Sequence, residues 1–122
     1  MKRDMDLIKA ILLDLEEHCD GTFCYRPAIQ TIPYQYGGTD AEFEEHCRLI
    51  AEKGLAIAHP SLNAGTSFSA LTWAGHDFLD DSRDSKVWQA AKKAAGTLSF
   101  GVFTKVLVET ATRYAMSKIE NF

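Results

Sequence analysis

The chain has 122 residues, 46% of them hydrophobic, with seven Phe, four Tyr and two Trp, enough to fill the core of one domain and too apolar for a disordered segment. Its net charge of −4 is uneven: Met1 to Leu71 holds eleven acidic residues against six basic ones, and the remainder is nearly neutral. No apolar run approaches the roughly 20 residues that cross a bilayer and no export signal precedes the first polar residues, so a membrane protein is excluded and the cytoplasm is the expected compartment.

In chain order, Ile8, Ile11, Leu12, Leu15 and Cys19 recur at helical spacing, which predicts a helix from Asp4 or Asp6 to about His18. Lys9, Asp14 and Glu17 fall on its expected solvated face, and Asp20-Gly21 ends it. From Thr22 to Gly38 the helical period is lost. Ala28-Ile29-Gln30-Thr31-Ile32, bracketed by Pro27 and Pro33, reads as a short strand or extended turn.

Thr39 or Asp40 caps a helix to Lys53 with Phe43, Cys47 and Ile50 on its buried face. Leu55, Ile57 and His59 then alternate as a strand that Pro60 breaks, and Ser67 to Leu71 returns through a turn containing Asn63-Ala64-Gly65. A third helix follows from Thr72 to about Arg83, burying Trp73, Phe78 and Leu79. Asp84 or Ser85 caps a fourth with Val87, Trp88 and Ala91. After Gly96, the last helix sets Leu98, Val102, Phe103, Val106, Leu107, Ala111 and Tyr114 on a broad face, wide enough to pack on the domain or on a second copy as a homodimer.

The expected fold is α+β and mostly helical. Its winged-helix-like core (helix, short strand, helix, β-hairpin; residues 1–71) is followed by C-terminal helices (72–122) that pack on it in a single domain.

Two stretches carry a resemblance: Met1-Lys2-Arg3-Asp4-Met5-Asp6-Leu7-Ile8, and Leu71-Thr72-Trp73-Ala74-Gly75-His76-Asp77-Phe78-Leu79-Asp80 with Val87-Trp88, joined by Glu45-His46 and Gly54-Leu55. With these the chain resembles the domain-of-unknown-function family 2513, small proteins of phages, prophages and bacteria. The resemblance implies a winged-helix-like fold and a mobile-element setting, and it supplies no reaction or catalytic residue.

Glu-Glu-His-Cys occurs at Glu16–Cys19 and again at Glu44–Cys47, so Cys19, Cys24 and Cys47 with His18 or His46 form a nominal zinc set. Adjacent helical residues point about 100° apart, however, and Cys19 and Cys47 fall on apolar faces. The favoured reading is core cysteines with partly exposed histidines and no metal or cofactor. Three cysteines without an export signal favour free thiols and leave a Cys19–Cys24 bridge open. His76 with Asp77, Asp80, Asp81 and Asp84 reads as a helix surface, and neither Cys24 nor Cys47 sits in nucleophile-type sequence. No catalytic residue is assigned, and the chain is expected to be non-enzymatic.

For DNA, a winged helix needs cations on its reading helix and wing. Here that helix opens Asp40-Ala41-Glu42-Phe43-Glu44-Glu45, and no Lys or Arg occurs from Gly54 to Ser82. Charge therefore disfavours nucleic acid. The expected function is a protein–protein interaction module on a winged-helix scaffold, with Glu42, Glu45, Arg48, Tyr34 and Tyr36 addressing an unidentified protein partner. The alternative is a winged-helix transcriptional regulator touching DNA through Lys2, Arg3, Arg48, Lys53, Lys92 and Lys93.

Overall fold

Alternating apolar stripes and turn residues resolve into a chain of five helices and one β-hairpin among the described residues, 1–61 and 65–120, of a computed structural model. The fold is α+β and mostly helical, as expected. Its contacts divide it into two units, Met1–His76 and Asp77–Phe122.

In the first unit, α1 (Met5–His18) starts at Asp4, whose carboxylate accepts the Leu7 N–H. It ends before Gly21, which takes φ +92°. Segment 19–39 contains no helix and stands where a winged helix would carry its second one. The short strand lies earlier than expected: Ala28–Ile32 is a turn closed by the Thr31 N–H on the Ala28 carbonyl, and extended pairing occurs as a single antiparallel bridge between Tyr25 and Phe68.

Thr39 and Glu42 form a reciprocal capping box at the head of α2 (Asp40–Glu52). The hairpin follows, β1 (Ala56–Ser61) antiparallel to β2 (Gly65–Leu71). Of the expected turn, Asn63 and Ala64 lie outside the described residues, and Gly65 takes φ +77°. The helix, extended segment, helix, hairpin order is consistent with a winged-helix-like core. Helix α1 packs on α2 and β2, and α2 on both strands, around Leu7, Ile11, Leu15, Phe43, Ile50 and Phe68.

Two expectations for the hairpin are overturned. Pro60 does not break β1 but pairs with Thr66, because in a two-stranded sheet each strand has a free edge on which a missing N–H is not needed. Ile57 does not face inward: burial along β1 alternates from Ala56, which is buried, so Ile57 takes the outer face and is 48% exposed.

Helix α3 (Trp73–Ser82) spans the boundary between the units. Thr72 caps it: its oxygen accepts the Gly75 N–H while its hydroxyl donates to the Gly54 carbonyl. Trp73, expected in the core, is 84% exposed. As the first residue of the helix it points away from the packed turn that Gly75 makes against Leu55, where a Cβ at residue 75 would come within 2.0 Å of the Leu55 carbonyl oxygen.

In the second unit, Asp84 caps α4 (Ser85–Ala95) by accepting the Lys86 and Val87 N–H groups, and α4 packs on α5 (Phe100–Glu120). Trp88 meets Phe78 and Phe103 edge-on, with Val87, Ala91 and Leu107 buried beside them. The apolar face expected on α5 is narrower than its sequence suggests. Phe103 and Leu107 are buried, whereas Leu98, Val102, Val108, Met116 and Ile119 are exposed.

Candidate functional site

Two polar clusters and one bare surface in the first unit are the places where this chain can do chemistry or meet a partner. The first cluster centres on Asp14. The Leu7, Ala10, Ile11, Asp14 spacing carries this residue onto the buried stripe of α1, and it is only 2% exposed, not solvated as its charge suggests. Its Oδ2 accepts hydroxyl hydrogen bonds from Tyr25 and Thr31, each at 2.9 Å. Its Oδ1 makes no aligned hydrogen bond but lies 3.1 Å from His18 Nδ1, which is also 2.9 Å from the Asp14 carbonyl. The His18 ring stacks on Tyr25 at 4.7 Å. The hydrogen bond to the Asp14 carbonyl, with the Asp14 and Glu17 charges behind it, raises the His18 pKa against the smaller opposing effect of burial. This cluster ties segment 19–39 to α1, and the expected solvated position of Asp14 is overturned because its partners reach it from that segment.

His46 organises the second cluster. It is fully buried, not partly exposed, because the chain start folds over α2: its Nε2 accepts the Asp4 N–H at 2.9 Å, and its Nδ1 donates to the Glu42 carbonyl at 2.7 Å. Tyr34 donates to Asp4 Oδ2 at 2.9 Å, and that bond, reinforced by burial, pushes its phenol up to about 12. Tyr36 lies edge-on to His46. Tyr34, Tyr36 and Glu42 of the expected partner-binding set are thus drawn together in one internal network, Glu42 through its capping box as well.

Glu45 and Arg48 stand apart on the outer face of α2. Arg48 is bonded to both Glu45 and Glu52, at 2.7 Å for the latter, so its charge is shared by two carboxylates. These bonds hold Glu45 below the usual carboxylate range.

For the nominal zinc set, both His46 ring nitrogens are occupied, and Cys47 is buried with its thiol pushed up to about 12 by desolvation. Among the described residues no group of three or more His, Cys, Asp or Glu side chains has a metal-holding arrangement. Of the cations named for DNA, Lys2 and Arg3 are exposed at the chain start and Lys53 follows the end of α2. In the second unit Lys92 sits 5.9 Å over the Trp88 ring and Lys93 is exposed. No helix is long and apolar enough to cross a membrane among the described residues.

The bare surface is the start of α3. The Thr72–Gly54 bond seats Trp73 at the C-terminal end of α2, beyond Glu52. An indole this exposed is uncommon, because a side chain of that area is ordinarily buried for the transfer free energy it releases. Sequence reading missed it, since capping position and apolar spacing both suit a core residue.

Against known proteins, the family model described as "Hypothetical protein (DUF2513)" matches residues 2–101. A Haemophilus influenzae protein described as an uncharacterized protein is 33% identical over 115 residues, covering 91% of this chain and 92% of the relative. No solved structure matches. The chain belongs to the DUF2513 family.

Proposed function

We propose that this DUF2513 protein is a non-enzymatic, cytoplasmic module that binds a protein partner, with Trp73 as the anchor and the acidic outer face of α2 as the adjoining surface. The observation that carries this reading is the 84% exposure of Trp73 beside a stretch, Gly54 to Ser82, that holds no Lys or Arg. Exposed tryptophan is the side chain that most often dominates protein interfaces, and an acidic surround selects a basic partner surface. The same surround repels phosphate. Tyr34, Tyr36 and Glu42 hold the scaffold behind this surface, while Glu45 and Arg48 stand on it. A phage or prophage setting, implied by the family, belongs to this proposal.

The competing reading is DNA binding by a winged-helix regulator through Lys2, Arg3, Lys53, Lys92 and Lys93. Arg48, the cation best placed on the reading helix, is already engaged by Glu45 and Glu52. Salt-titrated binding to random duplex DNA separates the two. The protein-partner reading expects affinity no tighter than about micromolar at physiological salt. Tighter binding that falls steeply with salt would overturn it. In affinity purification from a native host, the partner retained by the wild type should drop about tenfold or more with Trp73→Ser. Equal retention would remove Trp73 from the interface.

A further inference from the structure

Segment 19–25 leaves α1 and returns to β2 at two adjacent residues. The Gly21 N–H donates to the Ser69 carbonyl at 2.8 Å, and Tyr25 and Phe68 exchange N–H···O bonds of 2.8 Å in both directions. The Cys19 thiol donates to the same Phe68 carbonyl at 3.5 Å. One oxygen is therefore shared by the Cys19 sulfur and by the amide that directly follows Cys24. Between them the chain reverses at Asp20, whose Oδ1 accepts the Thr22 N–H at 2.9 Å, and at Gly21 with φ +92°. Both cysteines are free thiols, Cys24 exposed and Cys19 half-buried.

We propose that Cys19 and Cys24 form a dithiol–disulfide pair oxidised by a low-molecular-weight disulfide, with Cys24 as the attacking thiol and Cys19 as the resolving one. The Cys24 thiolate attacks one sulfur of the small disulfide; its S–S bond breaks, a mixed disulfide forms on Cys24 and one thiolate leaves. Cys19 then loses its proton and attacks the Cys24 sulfur, forming the Cys19–Cys24 bond and expelling the second thiolate. Two electrons pass to the small disulfide, and its two thiolates take up the two protons that the cysteines release. Exposure sets the order, because only Cys24 is open to the co-reactant. Burial, with Asp14, Asp20 and Cys24 adding charge, pushes the Cys19 thiol up, which favours its use in the intramolecular step over attack from solution. Closing the bond withdraws the Cys19 donor from Phe68 and so changes how the end of α1 is tied to the hairpin.

The test incubates the full chain with oxidised glutathione, quenches it with an alkylating reagent and maps the peptides by mass spectrometry. The expected product is an internal Cys19–Cys24 link, with Cys47 alkylated only after unfolding. In Cys19→Ser, the glutathione adduct on Cys24 should accumulate to about tenfold or more its wild-type level. Cys19→Ala should behave identically, which separates a lost resolving thiol from a disturbed fold. Equal adduct in wild type and both variants, or a bond linking Cys24 of two copies, overturns the proposal.

Discussion

Asp14 shows what a buried carboxylate does when its partners arrive from a distant part of the chain. Two hydroxyls converge on Oδ2 and His18 covers Oδ1, so removing the buried carboxylate takes the acceptor from half-buried Tyr25, while exposed Thr31 can turn to the Ala28 carbonyl or water. Asp14→Ala is expected to lower unfolding stability by about 2–3 kcal/mol and Tyr25→Phe or Thr31→Val by about 1 each, read from urea midpoints. His18 gives the cluster a pH response with a definite sign. Its folded pKa is raised above the ordinary 6.5, so its contribution is fully present below about 6.5 and is lost as pH rises through the folded value. Between pH 5.5 and 8, wild type should lose stability relative to His18→Gln, and parallel stability curves for the two proteins would show that the pair contributes nothing. The burial of Asp14 was not read, because its charge set it on the solvated face with Lys9 and Glu17, although the structure places it on the buried stripe. Nor were its partners legible, since Tyr25 and Thr31 reach it through the fold of a segment with no period of its own.

At the scale of elements, local chemistry was read where a signal is complete within one turn. Thr39 with Glu42, Asp4 and Asp84 each fix a helix start by hydrogen bonds to near neighbours, each being the first of the two capping residues the sequence offered. The hairpin was read less well because a strand's inner face and its free edge are set by what pairs and packs against it, which is why Ile57 and Pro60 went astray. Gly75 is the clearest case of a residue whose reason is tertiary. A helical glycine ordinarily loses about 1 kcal/mol against alanine, yet here the Leu55 carbonyl occupies the space of a Cβ. Because that neighbour is backbone and cannot rotate away, overpacking outweighs propensity, and Gly75→Ala should destabilise by about 1–3 kcal/mol. Gly101→Ala, with nothing within 4 Å, should instead stabilise by about 0.5–1 kcal/mol. Thermal unfolding of the pair checks both signs.

Across the whole molecule, the sequence conveyed composition and class better than surface. The acidic bias of the first seventy residues and the lack of cations from Gly54 to Ser82 were plain from the outset. Arg48 divides its charge between two glutamates of its own helix, whereas the bonds of Tyr25 and Tyr34 to Asp14 and Asp4 are tertiary facts with no local signal. Both findings leave these tyrosines and Arg48 engaged within the first unit. There the exposed indole of Trp73 stands near Glu52 and Lys53, the last residue and the C-cap of α2.

The two tryptophans differ in surroundings as much as two can: Trp73 is 84% exposed in the unit Met1–His76, and Trp88 is 3% exposed among aromatic rings in the unit Asp77–Phe122. The chain thus carries two optical reporters with separable signals. Light emitted by Trp73 is open to dissolved quenchers and to anything that docks on it, whereas emission from Trp88 is shielded until its own unit opens. Docking at α3 and loss of the second unit's core can therefore be followed in one unlabelled sample.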